Sequence, residues 1–211
     1  VKVEGNYTFE APRETVYDML QDPEVLAKII PGCEQLNKVG DNEYEAALEI
    51  SVGPVKGKFK GKVVLSDLNR PESYKMEING TGQAGFVKGV GLVKLEDQGT
   101  STPMNYEGDA QVGGRIASVG QRFVESAAKA LIKHSLENVN QYIQAQQQAK
   151  AAAAPPPEIK APTQVEFATG VAKEVAKDLV PPNRRPLLIG AGLGLAALAI
   201  ILLRPRRKKE K

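Results

Sequence analysis

The chain has 211 residues, a formal net charge of +3, one cysteine and one histidine. That length suits one domain of ordinary size plus an appendage, and the single cysteine, Cys33, excludes an intrachain disulfide and a cysteine metal cluster. The tail Arg204–Lys211 holds six basic residues against one acid, +5, which leaves −2 for the other 203 residues, so the bulk of the chain lacks the charge of a nucleic-acid binder.

No secretory signal precedes the first strand-like segment, although the chain starts without Met and a removed signal stays compatible with it. The lone cysteine weakly suits the cytosol. The first segment alternates with period two: Val1, Val3, Tyr7 and Phe9 on one face, Lys2, Glu4, Asn6, Thr8 and Glu10 on the other. Pro12 then opens a short helix, since its fixed φ and missing N–H suit a first turn. Asp22 caps a second short helix that ends at Pro31-Gly32.

Period two returns afterwards. Tyr44, Ala46, Leu48, Ile50 and Val52 predict one strand; Phe59, Val63 and Leu65 a second; Tyr74, Met76 and Ile78 a third; Thr102, Met104, Tyr106, Ala110 and Val112 another. Their partners on the opposite face are mostly charged, which is the pattern of an antiparallel sheet with one wet and one covered face. Asp41-Asn42, Asn69-Arg70-Pro71 and Asp97-Gln98-Gly99 supply turns. The glycine-rich piece Gly85–Gly91 lacks the strand–turn–helix context of a nucleotide loop and reads as sheet. A long helix is predicted from about Ala117 to Gln144, with Phe123, Ala127, Leu131, Leu136, Val139 and Ile143 as its apolar stripe.

The fold class is therefore α+β. A curved antiparallel sheet of about seven strands wraps one long C-terminal helix, with two short helices after the first strand: a helix-grip arrangement over residues 1–145. A bent sheet cannot press flat on a helix, and the gap that tends to remain is apolar. Gly5, Ala46, Gly61, Gly108 and Ala110 lie among the larger residues of the concave face. They fit either bends with close packing or a void.

Residues 146–163 are rich in Ala, Gln and Pro; their first part can continue the helix, and Pro155-Pro156-Pro157 stops it and runs extended. Fully extended, residues 151–163 reach about 40 Å. Residues 164–180 place Ala168, Val171, Ala172, Val175, Ala176 and Leu179 at helical spacing, as an amphipathic helix that packs on the domain or lies at a membrane surface. Leu187–Leu203 is an uncharged run of seventeen residues between Arg184-Arg185 and the basic tail 204–211. At 1.5 Å per residue it spans about 25 Å against a hydrocarbon core of roughly 30 Å, and Arg185 and Arg204 can snorkel outward. It is expected to anchor the chain in a membrane, with the basic tail attracted to anionic head groups. The Gly190-x-x-x-Gly194 pattern also allows a weak helix-mediated dimer.

Catalytic chemistry is not expected. His134, the sole histidine, stands in the long helix without an identifiable orienting partner, and Cys33 lacks a base and an oxyanion site. No metal and no covalent cofactor is anticipated.

The stretches Asp22-Pro23-Glu24, Ile30-Pro31-Gly32-Cys33-Glu34, Val52-Gly53-Pro54-Val55-Lys56-Gly57-Lys58-Phe59-Lys60-Gly61 and Gly113-Gly114-Arg115-Ile116-Ala117-Ser118-Val119-Gly120-Gln121-Arg122 resemble the CoxG family of carbon monoxide dehydrogenase subunits over about residues 1–145. That family belongs to the START/polyketide-cyclase-like (SRPBCC) helix-grip superfamily, whose members commonly hold apolar ligands between sheet and helix. The resemblance implies an accessory, non-catalytic role with the carbon monoxide dehydrogenase complex as partner.

Two functions follow from the resemblance and the C-terminal segment. One is a tethered carrier of an isoprenoid quinone, menaquinone or ubiquinone, between the bilayer and the enzyme. The other is a docking protein that anchors the enzyme without a ligand. For the carrier, the expected pocket wall is Tyr7, Phe9, Leu48, Ile50, Phe59, Val63, Met76, Ile78, Met104, Tyr106, Phe123, Ala127 and Leu131, with a mouth near Leu26–Pro31, including Ile30, and near Phe86–Val90. The expected location is the cell membrane, peripheral or through a single-pass C-terminal anchor, with the soluble domain facing the cytoplasm. The positive-inside tendency of the tail pulls the other way if the run crosses once; a segment that dips in without crossing reconciles the two.

Overall fold

The computed structural model describes residues 1–52 and 55–152, together with Thr169 and Ala172. Two units divide the chain, residues 1–175 and 176–211, and every described residue belongs to the first. The linker from residue 153, nearly all of the expected amphipathic helix at 164–180, the apolar run 187–203 and the tail 204–211 lie outside the described residues. Within the described residues no helix is long and apolar enough to cross a membrane.

The elements run β1 (Lys2–Phe9), α1 (Arg13–Met19), α2 (Pro23–Ile29), β2 (Cys33–Lys38), β3 (Glu43–Val52), β4 (Val55–Asn69), β5 (Ser73–Gly82), β6 (Gly85–Leu95), β7 (Thr102–Gly113), α3 (Arg115–Ser118) and α4 (Gln121–Ala151). The seven strands form one antiparallel sheet in the order β1-β7-β6-β5-β4-β3-β2. Strands β2 to β7 are therefore a plain meander, and β1 closes it beside β7. This is the helix-grip arrangement that the alternating pattern predicts. The β2 strand carries no such pattern, because it is an edge strand with no buried residue.

The local reasons for each short element are visible. The Asp22 carboxylate accepts hydrogen bonds from the backbone N–H groups of Glu24 (2.9 Å) and Val25 (3.3 Å), and Pro23 supplies the first turn of α2. After Ile30 the chain turns sharply at Gly32, whose φ is +75°. There the Gly32 carbonyl accepts from the Glu49 N–H at 2.7 Å, and a Cβ on Gly32 would collide with the Glu49 carbonyl. Only glycine satisfies both demands, so Pro31-Gly32 ties the exit of α2 to β3.

The long helix differs from the sequence expectation at both ends. It does not begin at Ala117: α3 ends at Ser118, Gly120 adopts φ +95°, and α4 starts at Gln121. It then runs to Ala151 rather than Gln144, because the Ala- and Gln-rich sequence after 145 holds no breaker until the proline triplet.

The core gathers Phe9, Val16, Tyr17, Ile29, Leu65, Tyr74, Val93, Leu95, Met104, Val139 and Ile143. Full burial of each large side chain contributes on the order of 1.5–3 kcal/mol. Two side-chain hydrogen bonds fix α4 against this core. Asn138 Nδ2 donates to the Ile29 carbonyl at 2.8 Å, and Asn140 Oδ1 accepts from the Glu10 N–H at 3.1 Å. On the sheet side, the buried Thr102 hydroxyl donates to the Ala11 carbonyl at 2.7 Å.

Candidate functional site

Side chains that face α4 follow from register. On β5 they are Tyr74, Met76 and Ile78; opposite them on β6 stand Val93, Gly91 and Gly89. Opposite those on β7 stand Tyr106, Gly108 and Ala110. In the middle of the sheet, Gly91 and Gly108 thus stand side by side between Met76 and Val3, and Gly89 and Ala110 stand side by side next to Ile78. A floor so nearly free of side chains cannot reach the helix above it. The consequence is a cavity of about 390 Å³ between sheet and helix, within the roughly 300–1,000 Å³ range of small-molecule sites.

The wall is almost entirely hydrocarbon. Met76, Ile78, Val93 and Met104 supply it from the sheet, Leu20, Leu26 and Ile30 from α1 and α2 and the turns after them, and Leu131, Ile132, Leu136 and Val139 from α4. No Lys, Arg or His of the described residues lines it.

The cavity has a closed and an open end. Along β5 exposure rises from 3% at Tyr74 to 39% at Ile78, and on β6 the neighbouring Val93 is 4% exposed. At about 3.4 Å per residue, Tyr74 and Ile78 are roughly 14 Å apart. The blind end is therefore at Tyr74, Val93 and Met104. The mouth is at Ile78, Gly89 and Ala110, beside Val90.

Of the residues expected to form the wall, Leu26, Ile30, Met76, Ile78, Met104, Tyr106 and Leu131 line this cavity. The others are placed elsewhere. Phe9 is fully buried in the core, and Tyr7 packs on it edge to face at 4.9 Å; Val63 lies against the same core. Phe59 belongs to a separate cluster with Ala84 and Ile116, and Ile50 bridges that cluster to one formed by Ala130 with Phe123, Ala127 and Leu131. Leu48 is half-buried on β3, away from the cavity wall. Phe86 alternates onto the opposite face of β6 from Gly89 and covers Gly113. The physical reason is common to most of them: α4 closes directly over the Phe59 end, where the small, buried Ser126 and Ala130 let it approach.

Sequence reasoning passed over Leu20, Tyr74, Gly89, Gly91, Leu136 and Val139 as wall residues. The signal for the floor was present as Gly89-x-Gly91, two glycines at period two in a segment already read as strand.

Phenols supply the polar groups near the cavity. Burial foremost, with the neighbouring Tyr17 and Tyr44 adding to it, pushes the Tyr74 hydroxyl well above its ordinary range. Burial also raises Tyr106, against an opposing pull from Lys129. Burial raises Tyr7, helped by Glu137 and opposed by its hydrogen bond to Asn140. All three stay protonated at physiological pH and act as hydrogen-bond donors. The Tyr106 ring lies across Gly5, so that it forms both a side of the cavity and a side of a small polar cleft at Gly5, Lys129 and Lys133.

Neither residue weighed for catalysis sits in a reactive setting. The Cys33 thiol is raised by burial and donates to the Gln35 carbonyl at 3.5 Å, which leaves it in its unreactive form. His134 Nδ1 is 3.2 Å from Glu137 Oε2. Among the described residues no group of three or more His, Cys, Asp or Glu is arranged to hold a metal ion.

The CoxG family of carbon monoxide dehydrogenase subunits matches residues 5–144. The chain belongs to that family. The match begins within β1 and ends within α4, so it covers the sheet, the cavity and the helix that roofs it. A conserved protein from Geobacillus kaustophilus is 33% identical, with 68% of this chain and 95% of that one aligned and a TM-score of 0.66. A START superfamily protein from Mycobacterium smegmatis shares the fold at 15% identity, 67% and 98% coverage and a TM-score of 0.53. A Thermus thermophilus protein does so at 15% identity, 73% and 100% coverage and a TM-score of 0.53. No functionally curated protein matches. This CoxG chain is thus a START-like, or SRPBCC, helix-grip protein. Its fold is one built around hydrophobic-ligand binding, and its family is an accessory partner of carbon monoxide dehydrogenase.

Proposed function

We propose that this chain carries an isoprenoid quinone between the bilayer and carbon monoxide dehydrogenase, and takes no catalytic part itself. The observation that carries the reading is the cavity of about 390 Å³ above the Gly89, Gly91 and Gly108 floor, walled by hydrocarbon and open at Ile78. A core meant only to be packed would fill that floor with side chains.

The chemistry of the partner narrows the cargo. Oxidation of carbon monoxide releases an electron pair that needs an acceptor. An isoprenoid quinone takes two electrons and two protons, but its tail keeps it inside the bilayer. A cavity that shields the ring and the first part of the tail lowers the cost of lifting it into water, by about 25 cal/mol for each Å² of apolar surface covered. The volume is too small for a long tail, so the remainder leaves through the mouth at Ile78 and Gly89.

The tether belongs to the same proposal. The apolar run Leu187–Leu203 and the basic tail Arg204–Lys211 hold the chain at the membrane, and the Pro-rich linker gives the domain reach. One domain then visits the bilayer and the enzyme in turn, on the cytoplasmic side.

The test is extraction and mass spectrometry of apolar molecules from the full chain expressed with its membrane. A near-stoichiometric isoprenoid quinone is expected. Protein that binds carbon monoxide dehydrogenase yet yields no apolar molecule would instead be a docking protein alone.

A further inference from the structure

The blind end of the cavity holds a feature that the hydrocarbon wall does not explain. Tyr17 is 3% exposed, and its hydroxyl has no hydrogen-bond partner among the described residues. The same is true of the buried Gln21 Nε2. Both adjoin the cavity wall. The Tyr17 ring meets the Tyr74 ring edge to face at 5.7 Å, and Tyr74 lines the blind end; Gln21 directly follows Leu20, another wall residue. A third phenol completes the group: the Tyr44 hydroxyl donates to the Gln21 carbonyl at 3.4 Å. Native proteins leave few buried polar atoms unsatisfied, and each one left so is costly. Two such donors, about one helical turn apart in sequence and beside the closed end of a ligand cavity, are arranged for an acceptor that arrives with the ligand.

The sign of that acceptor follows from its surroundings. A buried carboxylate or phosphate needs a cation, and no described side chain lining the cavity is cationic. The Val1 amino group borders the cavity too, but it pairs with the Asp109 carboxylate at 3.6 Å, on the strand end that carries Ala110 and the mouth. Tyr74, kept protonated by its burial, adds a further neutral donor. Neutral donors with no cation beside them suit a neutral carbonyl oxygen.

We propose that Tyr17 and Gln21 are the head-group donors of this cavity, hydrogen-bonding a neutral carbonyl oxygen of the carried molecule, which enters ring first and leaves its tail at the mouth. The cavity therefore selects quinones, ketones or esters over fatty acids of the same length. This rests on the carrier reading above, and adds to it the chemical class and the orientation of the cargo.

The test compares two neutral probes and one acid on the full chain: a short-tailed isoprenoid quinone, a hydrocarbon of matching size without oxygens, and a fatty acid of matching length. Their partition between protein and detergent micelles is measured for the wild type, Tyr17→Phe and Gln21→Leu. Each substitution is expected to weaken the quinone about five- to tenfold, the size of one lost hydrogen bond, and to leave the hydrocarbon unchanged. The wild type is expected to prefer the quinone to the fatty acid. Wild-type quinone affinity in both variants would overturn the inference while leaving the carrier intact, since water then satisfies Tyr17 and Gln21. An equal loss for quinone and hydrocarbon would overturn it as well, by showing altered packing instead of a lost bond. A wild type that binds none of the probes contradicts the carrier reading itself.

Discussion

Gly91 and Gly108 stand directly opposite one another on β6 and β7, and the absence of a side chain at both is what keeps sheet and helix apart. Neither has the positive φ that would demand glycine for backbone reasons. Their role is volume. A Cβ on Gly91 would first meet the Met76 Cγ at 3.2 Å, which is the flexible part of a side chain that can give way.

Gly91→Leu is therefore expected to fill the cavity without unfolding the domain. Quinone affinity should fall about ten- to a hundredfold, the size of a typical overpacking penalty, with stability changed by no more than about 1 kcal/mol. Micelle partition and a urea melt on the same preparation check the two halves.

At Gly5 the opposite result is expected. A Cβ there comes within 2.6 Å of the Tyr106 Cζ, and the ring has the polar cleft on its far side. Gly5→Ala should cost about 1–3 kcal/mol as the ring is displaced. Adding Tyr106→Leu should recover most of it, and a double-mutant cycle in urea reads the coupling.

Much of the fold was legible in the sequence, because amphipathic strands write their burial as period two. Tyr74, Met76 and Ile78 alternate with Lys75, Glu77 and Asn79, and register puts the first three on the covered face. The site was less legible for a physical reason. Aromatic and aliphatic residues on that face look alike in sequence, whether they meet the helix or leave a gap. Phe59 and Met76 share the covered face, yet Phe59 meets Ala84 and Ile116 while Met76 borders the cavity. What separates them is the local height of α4, set by Ser126 and Ala130 at one end and by Leu131 and Leu136 further along. That spacing is tertiary and leaves no local pattern.

The α2 side of the wall depends on one hydrogen bond from α4. Asn138 Nδ2 to the Ile29 carbonyl, 2.8 Å, holds the helix end that positions Leu26 and Ile30. Asn138→Ala should destabilise the domain by about 0.5–1.5 kcal/mol. It should also speed quinone release more than it slows uptake, since a loosened wall acts on the bound state. Stopped-flow transfer to acceptor vesicles separates the two rates.

Alkaline pH should weaken the domain. The folded-state pKa of Tyr74 is raised by burial, so its contribution is fully present below the ordinary phenol value of about 10 and is lost as pH climbs beyond it. Tyr74→Phe removes that group and should flatten the decline above about pH 10. Urea midpoints between pH 8 and 11 for both proteins provide the check.

Transfer from a membrane tests the central claim most directly. Vesicles loaded with an isoprenoid quinone are incubated with the full chain, the protein is recovered free of lipid, and the quinone it holds is quantified against Gly91→Leu. The account predicts up to one quinone per wild-type chain and little on the variant. Quinone that stays with the vesicles, or that accompanies Gly91→Leu as readily as the wild type, would contradict it.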